Sequence, residues 1–175
     1  MSKTMRTRKL ITMAMLSCAA LVIFVAEAQI PPVFSMPGIK LGLANIITLI
    51  TMKMMGKRPA AAVLAVRIIL GNIFTGQMLS FLYSFMGGLA CFLIMGLIVD
   101  AFDDKQLWIV SVFGAIAHNM GQILTAAAIF GTWKIMWYVP YLLIAAVLTG
   151  AFTGFCAQIT LSKLTKIEGF IRKEK

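Results

Sequence analysis

From Leu10 to Leu161 the chain is a succession of long apolar runs, and nearly all its charged residues fall in the breaks between them. With 61% hydrophobic and 13% charged residues in a length of 175, such a chain could not cover its apolar surface in water. In a lipid solvent it need not. A helix crosses a bilayer with about 20 apolar residues. The length therefore allows five or six spans with short connections and leaves no room for a separate soluble domain. In hydrocarbon the backbone has to satisfy its own polar groups, which a helix does. The expected fold is an all-α integral membrane protein, a bundle of six transmembrane helices.

Residues 1–9 are a basic start, 10–161 the transmembrane domain and 162–175 a polar, basic tail that suits a membrane surface. The apolar runs place spans at about Leu10–Ala28, Leu41–Met55, Ala60–Phe74, Leu79–Val99, Leu107–Phe130 and Tyr138–Leu161. The first could be a signal peptide, because Ala26-Glu27-Ala28 imitates a cleavage site. Its long apolar run, and the membrane-embedded chain that follows, favour a retained helix. Pro31, Pro32, Pro37 and Gly38 mark a loop before the short second span, whose helix is expected to begin near Leu41.

The formal net charge is +10. This is no nucleic-acid patch, since the Lys and Arg residues gather at span ends. With the N-terminus inside, the cytoplasm receives the basic start, the turn with Lys53, Lys57 and Arg58, the Asp100–Lys105 loop and the tail. The other side receives Glu27, Lys40 and Lys134. That distribution obeys the positive-inside rule for a multi-pass membrane protein with both termini in the cytoplasm. Trp133, Trp137 and Tyr138 then sit at the outer interface.

This topology brings polar residues to a similar depth. Glu27 lies at the outer end of span one, and Lys40 and Asn45 at the mouth of span two. Arg67 and Asn72 belong to span three, His118, Asn119 and Gln122 to span five. His118 and Gln122 share a helix face. Ionisable groups inside a membrane are costly and face a partner or a wet cavity. These eight residues are therefore candidates for a pocket opening outward: Lys40 and Arg67 for an anionic group, Glu27 as balance or for an amine, the amides for directional hydrogen bonds. The alternative is a polar network that only joins helices. Arg67 would then pair with Glu27 or a helix carbonyl, and His118 would be a satisfied core histidine.

The remaining motifs carry less. Cys18, Cys91 and Cys156 are scattered through apolar segments and read as small buried residues. Gly150 and Gly154, Gly87 and Cys91, and Ala14 and Cys18 are small-xxx-small pairs suited to close helix approach. Asp100-Ala-Phe-Asp103-Asp104 is a single acidic cluster in a short loop, whereas magnesium diphosphate chemistry needs converging carboxylates. It reads as a solvated loop. With one His, no P-loop and no metal-spaced Cys pair, no catalytic residue, metal or cofactor is assigned and no enzyme is expected.

At PGIKLGLANI (Pro37–Ile46), RIILGNIFTG (Arg67–Gly76) and GAIAHNMGQ (Gly114–Gln122) the sequence resembles the bacterial Gx transporter family, also labelled heptaprenyl diphosphate synthase component I. The resemblance runs from about Leu10 to Leu161. That family is grouped with the substrate-binding S components of energy-coupling factor (ECF) transporters. The resemblance implies a six-helix subunit that captures a vitamin- or precursor-like molecule from outside. It also implies docking on a transmembrane coupling subunit driven by ATPases. The first-helix docking positions nearest the family's pattern are Ala14 and Cys18, or Ser17 and Leu21. The family's other label implies an alternative, a membrane-embedded accessory component of heptaprenyl or polyprenyl diphosphate synthase in isoprenoid quinone synthesis. Such a component needs the cytoplasmic aspartates and a soluble synthase as partner.

Overall fold

A computed structural model describes residues 3–29, 40–76 and 78–173. The proline-bearing stretch from Pro31 to Gly38, together with Gln77, lies outside the described residues. Among these described residues six α-helices follow one another: α1 (Lys3–Ala28), α2 (Asn45–Met55), α3 (Lys57–Thr75), α4 (Met78–Ile98), α5 (Leu107–Phe130) and α6 (Val139–Lys173). Two short 3-10 turns join α4 to α5, and a third, Trp133–Tyr138, leads into α6.

Local chemistry sets most helix ends. Gly76 and Gly131 close α3 and α5 in the left-handed conformation, at φ 65° and 61°, which glycine adopts without a Cβ penalty. Pro59 sits in the first turn of α3 and Pro140 in that of α6. Proline is tolerated there because first-turn N–H groups have no intrahelical acceptor. The helix α6 runs on to Lys173, 35 residues in all, instead of ending near Leu161. At 1.5 Å per residue it is roughly 52 Å long, well beyond a hydrocarbon core of about 30 Å.

Among the described residues five helical segments are long and apolar enough to cross a membrane: Arg6–Ala28, Lys57–Thr75, Ser80–Ala101, Asp104–Phe130 and Trp133–Leu164. The second apolar run differs from the expectation. Its helix has 11 residues and starts at Asn45, not near Leu41. The cause is Gly42, whose φ of 79° turns the chain just before the helix. With α2 only about 16 Å long, it is half the thickness of a hydrocarbon core. It is instead the innermost element, touching all five other helices and burying Ile47 to Met52.

The interior has three layers. One apolar cluster joins Leu49, Ile50, Val63, Met95, Leu107, Val110 and Leu161. A second, toward Gly76 and Gly131, joins Tyr83, Ile123, Ala126, Ile135 and Leu142. Between them lies a layer of buried polar side chains.

Close backbone approach holds α4, α5 and α6 together. A Cβ on Gly121 would stand 2.8 Å from the Met86 carbonyl oxygen, and one on Gly150 2.7 Å from Val112 Cα. The Gly150/Gly154 pair therefore serves packing within the chain, against α5. At the far end the acidic loop is tied to α2 and α3: Lys57 Nζ meets Asp100 Oδ2 at 2.7 Å, and Lys53 Nζ lies 3.4 Å from Asp104 Oδ1. Lys53 also donates to the Phe102 carbonyl at 2.9 Å.

Candidate functional site

The polar layer is assembled from six segments. From α1 come Phe24 and Glu27, one helical turn apart and so on one face. The turn before α2 supplies Lys40 and Gly42. Asn45 begins α2, Arg67 lies on α3, Ser84 on α4 and His118 on α5. Phe24, Glu27, Lys40, Gly42, Arg67, Ser84 and His118 line a common void of about 10 Å³. That is room for about one water.

Specific contacts fix the layer. The Gly42 N–H donates to Glu27 Oε1 at 2.6 Å, clasping the turn to α1. Arg67 Nη1 donates to Asn45 Oδ1 at 3.0 Å. Arg67 therefore turns to an amide, where pairing with Glu27 or a helix carbonyl was the alternative. The Lys40 ammonium sits 3.7 Å from the centroid of the Phe24 ring, and the Arg67 guanidinium 5.9 Å from it. Cations over an aromatic face gain some attraction, about 2 kcal/mol or more when desolvated. Neither cation forms an ion pair with a carboxylate among the described residues. Lys40 Nζ and Arg67 Nε are buried without a hydrogen-bond partner there. Burial pushes the Lys40 ammonium down to about 8; Glu27 opposes that shift and Arg67 adds to it.

His118 and Gln122 extend the layer along α5. Both face Gly87 of α4, where a Cβ would stand 2.9 Å from Gln122 Cγ and from His118 Cε1. Gln122 is fully buried, and among the described residues its amide and both His118 ring nitrogens lack a well-formed hydrogen bond. A second void of about 10 Å³ lies past Gly42 and Asn45, beside Ser111, Thr149 and Thr153. Ser111 Oγ and Thr153 Oγ1 are hydrogen-bonded at 2.9 Å across α5 and α6.

Of the eight sequence candidates, Glu27, Lys40, Asn45, Arg67 and His118 come together, with Gln122 beside them. Asn119 and Asn72 do not join. Asn119 donates to the Leu142 carbonyl at 3.0 Å, linking α5 to α6. Asn72 donates to Ile68 O, one turn back on its own helix, at 2.7 Å. Sequence reasoning missed Phe24, Ser84 and the Gly42 turn. Phe24 could have been found from its position one turn before Glu27; nothing about an apolar residue in an apolar run otherwise marks it.

The cluster sets two cationic groups, Lys40 and Arg67, beside the Glu27 carboxylate, the Asn45 amide and the His118 imidazole, around a void of about one water's size. Among the described residues no group of three His, Cys, Asp or Glu side chains could hold a metal ion. Apolar membrane-length helices around a buried polar layer are what a multi-pass helical membrane protein presents. Within that class the chain belongs to the family described as heptaprenyl diphosphate synthase component I, also labelled Gx transporter, whose family model matches residues 16–160. No curated protein and no solved structure matches the chain.

Proposed function

We propose that the protein is the substrate-capture subunit of an ECF-type importer in a bacterial cytoplasmic membrane, taking up a small anionic, vitamin- or precursor-like molecule from outside. The observation that carries this reading is the pair Lys40 and Arg67, buried at one level without a carboxylate ion pair among the described residues. Lys40 and Arg67 share their void with one carboxylate, Glu27, and an excess of charge inside a bilayer is expensive. An anion binding there would recover that cost, so the arrangement favours capture over simple helix joining. Asn45, His118 and Gln122 supply neighbouring hydrogen-bonding groups. Ala14 and Cys18 are both exposed on α1, which suits close contact with a coupling subunit. The sequence holds no nucleotide-binding motif, so ATPases would be separate partners.

The family's description favours a second reading, an accessory component of heptaprenyl or polyprenyl diphosphate synthase. In that reading the acidic loop would act on diphosphate. The pairing of Asp100 and Asp104 with Lys57 and Lys53 weighs against it, since two of the three carboxylates are engaged. Native mass spectrometry of the chain purified from its host's membranes separates the two. A co-purifying small anion, lost in Arg67→Gln, with ATPase-bearing partners, is the expected result. A bound soluble prenyl synthase and no small ligand would replace it with the second reading.

A further inference from the structure

The void beside Glu27 is walled by unused donors and carries an excess of positive charge. Lys40, Arg67 and Ser84 all line it, and Lys40 Nζ, Arg67 Nε and Ser84 Oγ are each buried without a hydrogen-bond partner among the described residues. An ammonium and a guanidinium can only donate, and a hydroxyl supplies one more proton. The three residues belong to the turn before α2, to α3 and to α4, so three parts of the chain bring a spare donor to one place. The Phe24 ring keeps the two cations together, 3.7 Å and 5.9 Å from its centroid. Asn45 Oδ1 holds the Arg67 fork through Nη1 at 3.0 Å and leaves Nε over.

The acceptors on the wall do not match these donors. Glu27 is the one carboxylate among the lining residues, and its Oε1 already accepts the Gly42 N–H at 2.6 Å. Set against Lys40 and Arg67, it leaves one positive charge in excess. Neutral His118 offers one ring nitrogen as donor and the other as acceptor, which changes neither balance. A water would bring two protons of its own to place and would leave the charge as it is. A small anion only accepts, and a buried charge is tolerated where it is both paired and hydrogen-bonded. Size sets the other limit. About 10 Å³ is room for about one water, which shuts out a carboxylate or phosphate while the layer keeps this arrangement.

We propose that the void is a site for a single halide ion, chloride under ordinary conditions, bound by Lys40 Nζ, Arg67 Nε and Ser84 Oγ, its charge cancelling the excess that Glu27 leaves. This rests on the reading of Lys40 and Arg67 as an anion site, and it names the ion that holds that site in the closed layer. A larger anionic substrate has to open the layer and displace the halide, so chloride competes with capture.

The test starts from detergent-purified protein exchanged into sodium gluconate, whose anion is far larger than the void. Chloride is then added back at constant ionic strength, and the thermal midpoint and calorimetric binding are followed. A saturable rise in the midpoint is expected with chloride and with bromide, because a ligand bound only by the folded state stabilises it. Ser84→Ala keeps both cations and should weaken chloride roughly tenfold or more, the scale of one hydrogen bond to a charged group. Lys40→Gln should weaken it at least as much, and Glu27→Gln, which removes the competing carboxylate, should tighten it. A midpoint and a calorimetric trace both indifferent to chloride overturn the proposal. Chloride affinity unchanged in both Ser84→Ala and Lys40→Gln places the ion elsewhere and overturns it too. Inorganic phosphate binding in gluconate separates this proposal from the reading beneath it. Phosphate binding that falls in Lys40→Gln, with no chloride effect, removes the halide and leaves the anion site. If neither ion binds, the anion site falls as well.

Discussion

The Lys40 ammonium is held close to its titration point, which gives the site a pH signature. Its pKa lies near 8 instead of 10.5, chiefly through burial. Below that pH the residue is charged and attracts an anion; above it the charge is lost. Anion affinity is therefore predicted to hold between pH 6 and 7.5. Above about 8 it should fall by up to tenfold per pH unit, because a group must be protonated before it contributes. Equilibrium binding across pH 6–9 checks this, and the decline should vanish in Lys40→Gln. A pH-independent affinity in the unaltered protein would remove Lys40 from the site. Gly42 offers a second prediction. Alanine there must adopt φ near 79° and place its Cβ 2.8 Å from both Asn45 Nδ2 and His118 Cδ2. The backbone alone costs on the order of 1–2 kcal/mol, and the clash adds to it. Gly42→Ala should lower the thermal midpoint in detergent and weaken anion binding, whereas unchanged melting and binding would show that the turn relaxes freely.

At the scale of elements, the contacts divide into those that set helix spacing and those that merely cross it. Gly150 lets α6 approach α5 until side-chain room disappears. Gly150→Leu should destabilise the bundle by about 1–3 kcal/mol or more, as overpacking does. Asn119→Leu removes one interhelical hydrogen bond to Leu142 O and should cost about 0.6 kcal/mol, a typical value for such bonds in membranes. Thermal unfolding of the two variants in one detergent tests the order, and a reversal would mean that polar contacts govern helix spacing here. Legibility in the sequence follows the same division. The bounds of α5 agree with the expected Leu107–Phe130 because a polar loop precedes it and Gly131 ends it. The start of α2 was hidden, since Leu41 to Ala44 is as apolar as the helix that follows. Only the backbone angle at Gly42 reveals the turn. Pattern placed Arg67 and His118 at one depth, but could not show that Asn119, beside His118, points to α6. Rotation about a helix axis depends on which neighbour is closest, and that is a tertiary fact.

For the whole molecule, the charge distribution makes a prediction about sidedness. Lys57 and Lys134 lie in breaks that the positive-inside rule assigns to opposite faces. In a cysteine-free background, Lys134→Cys should react with a membrane-impermeant maleimide on intact cells, and Lys57→Cys only after the membrane is opened. The reverse pattern would invert the proposed direction of capture. The buried half-length helix α2 bears on the order of assembly. It is too short to cross the hydrocarbon unaided, and its neighbours cover Asn45 and the residues from Ile47 to Met52. During synthesis it emerges after α1 but before α3 to α6, so of its five neighbours only α1 yet exists to receive it. A nascent chain halted just beyond Met55 should leave this segment accessible to protease, and one extended past α6 should protect it. The innermost part of the protein is thus the last to find its place, and the polar cluster it carries forms only when the surrounding helices are complete.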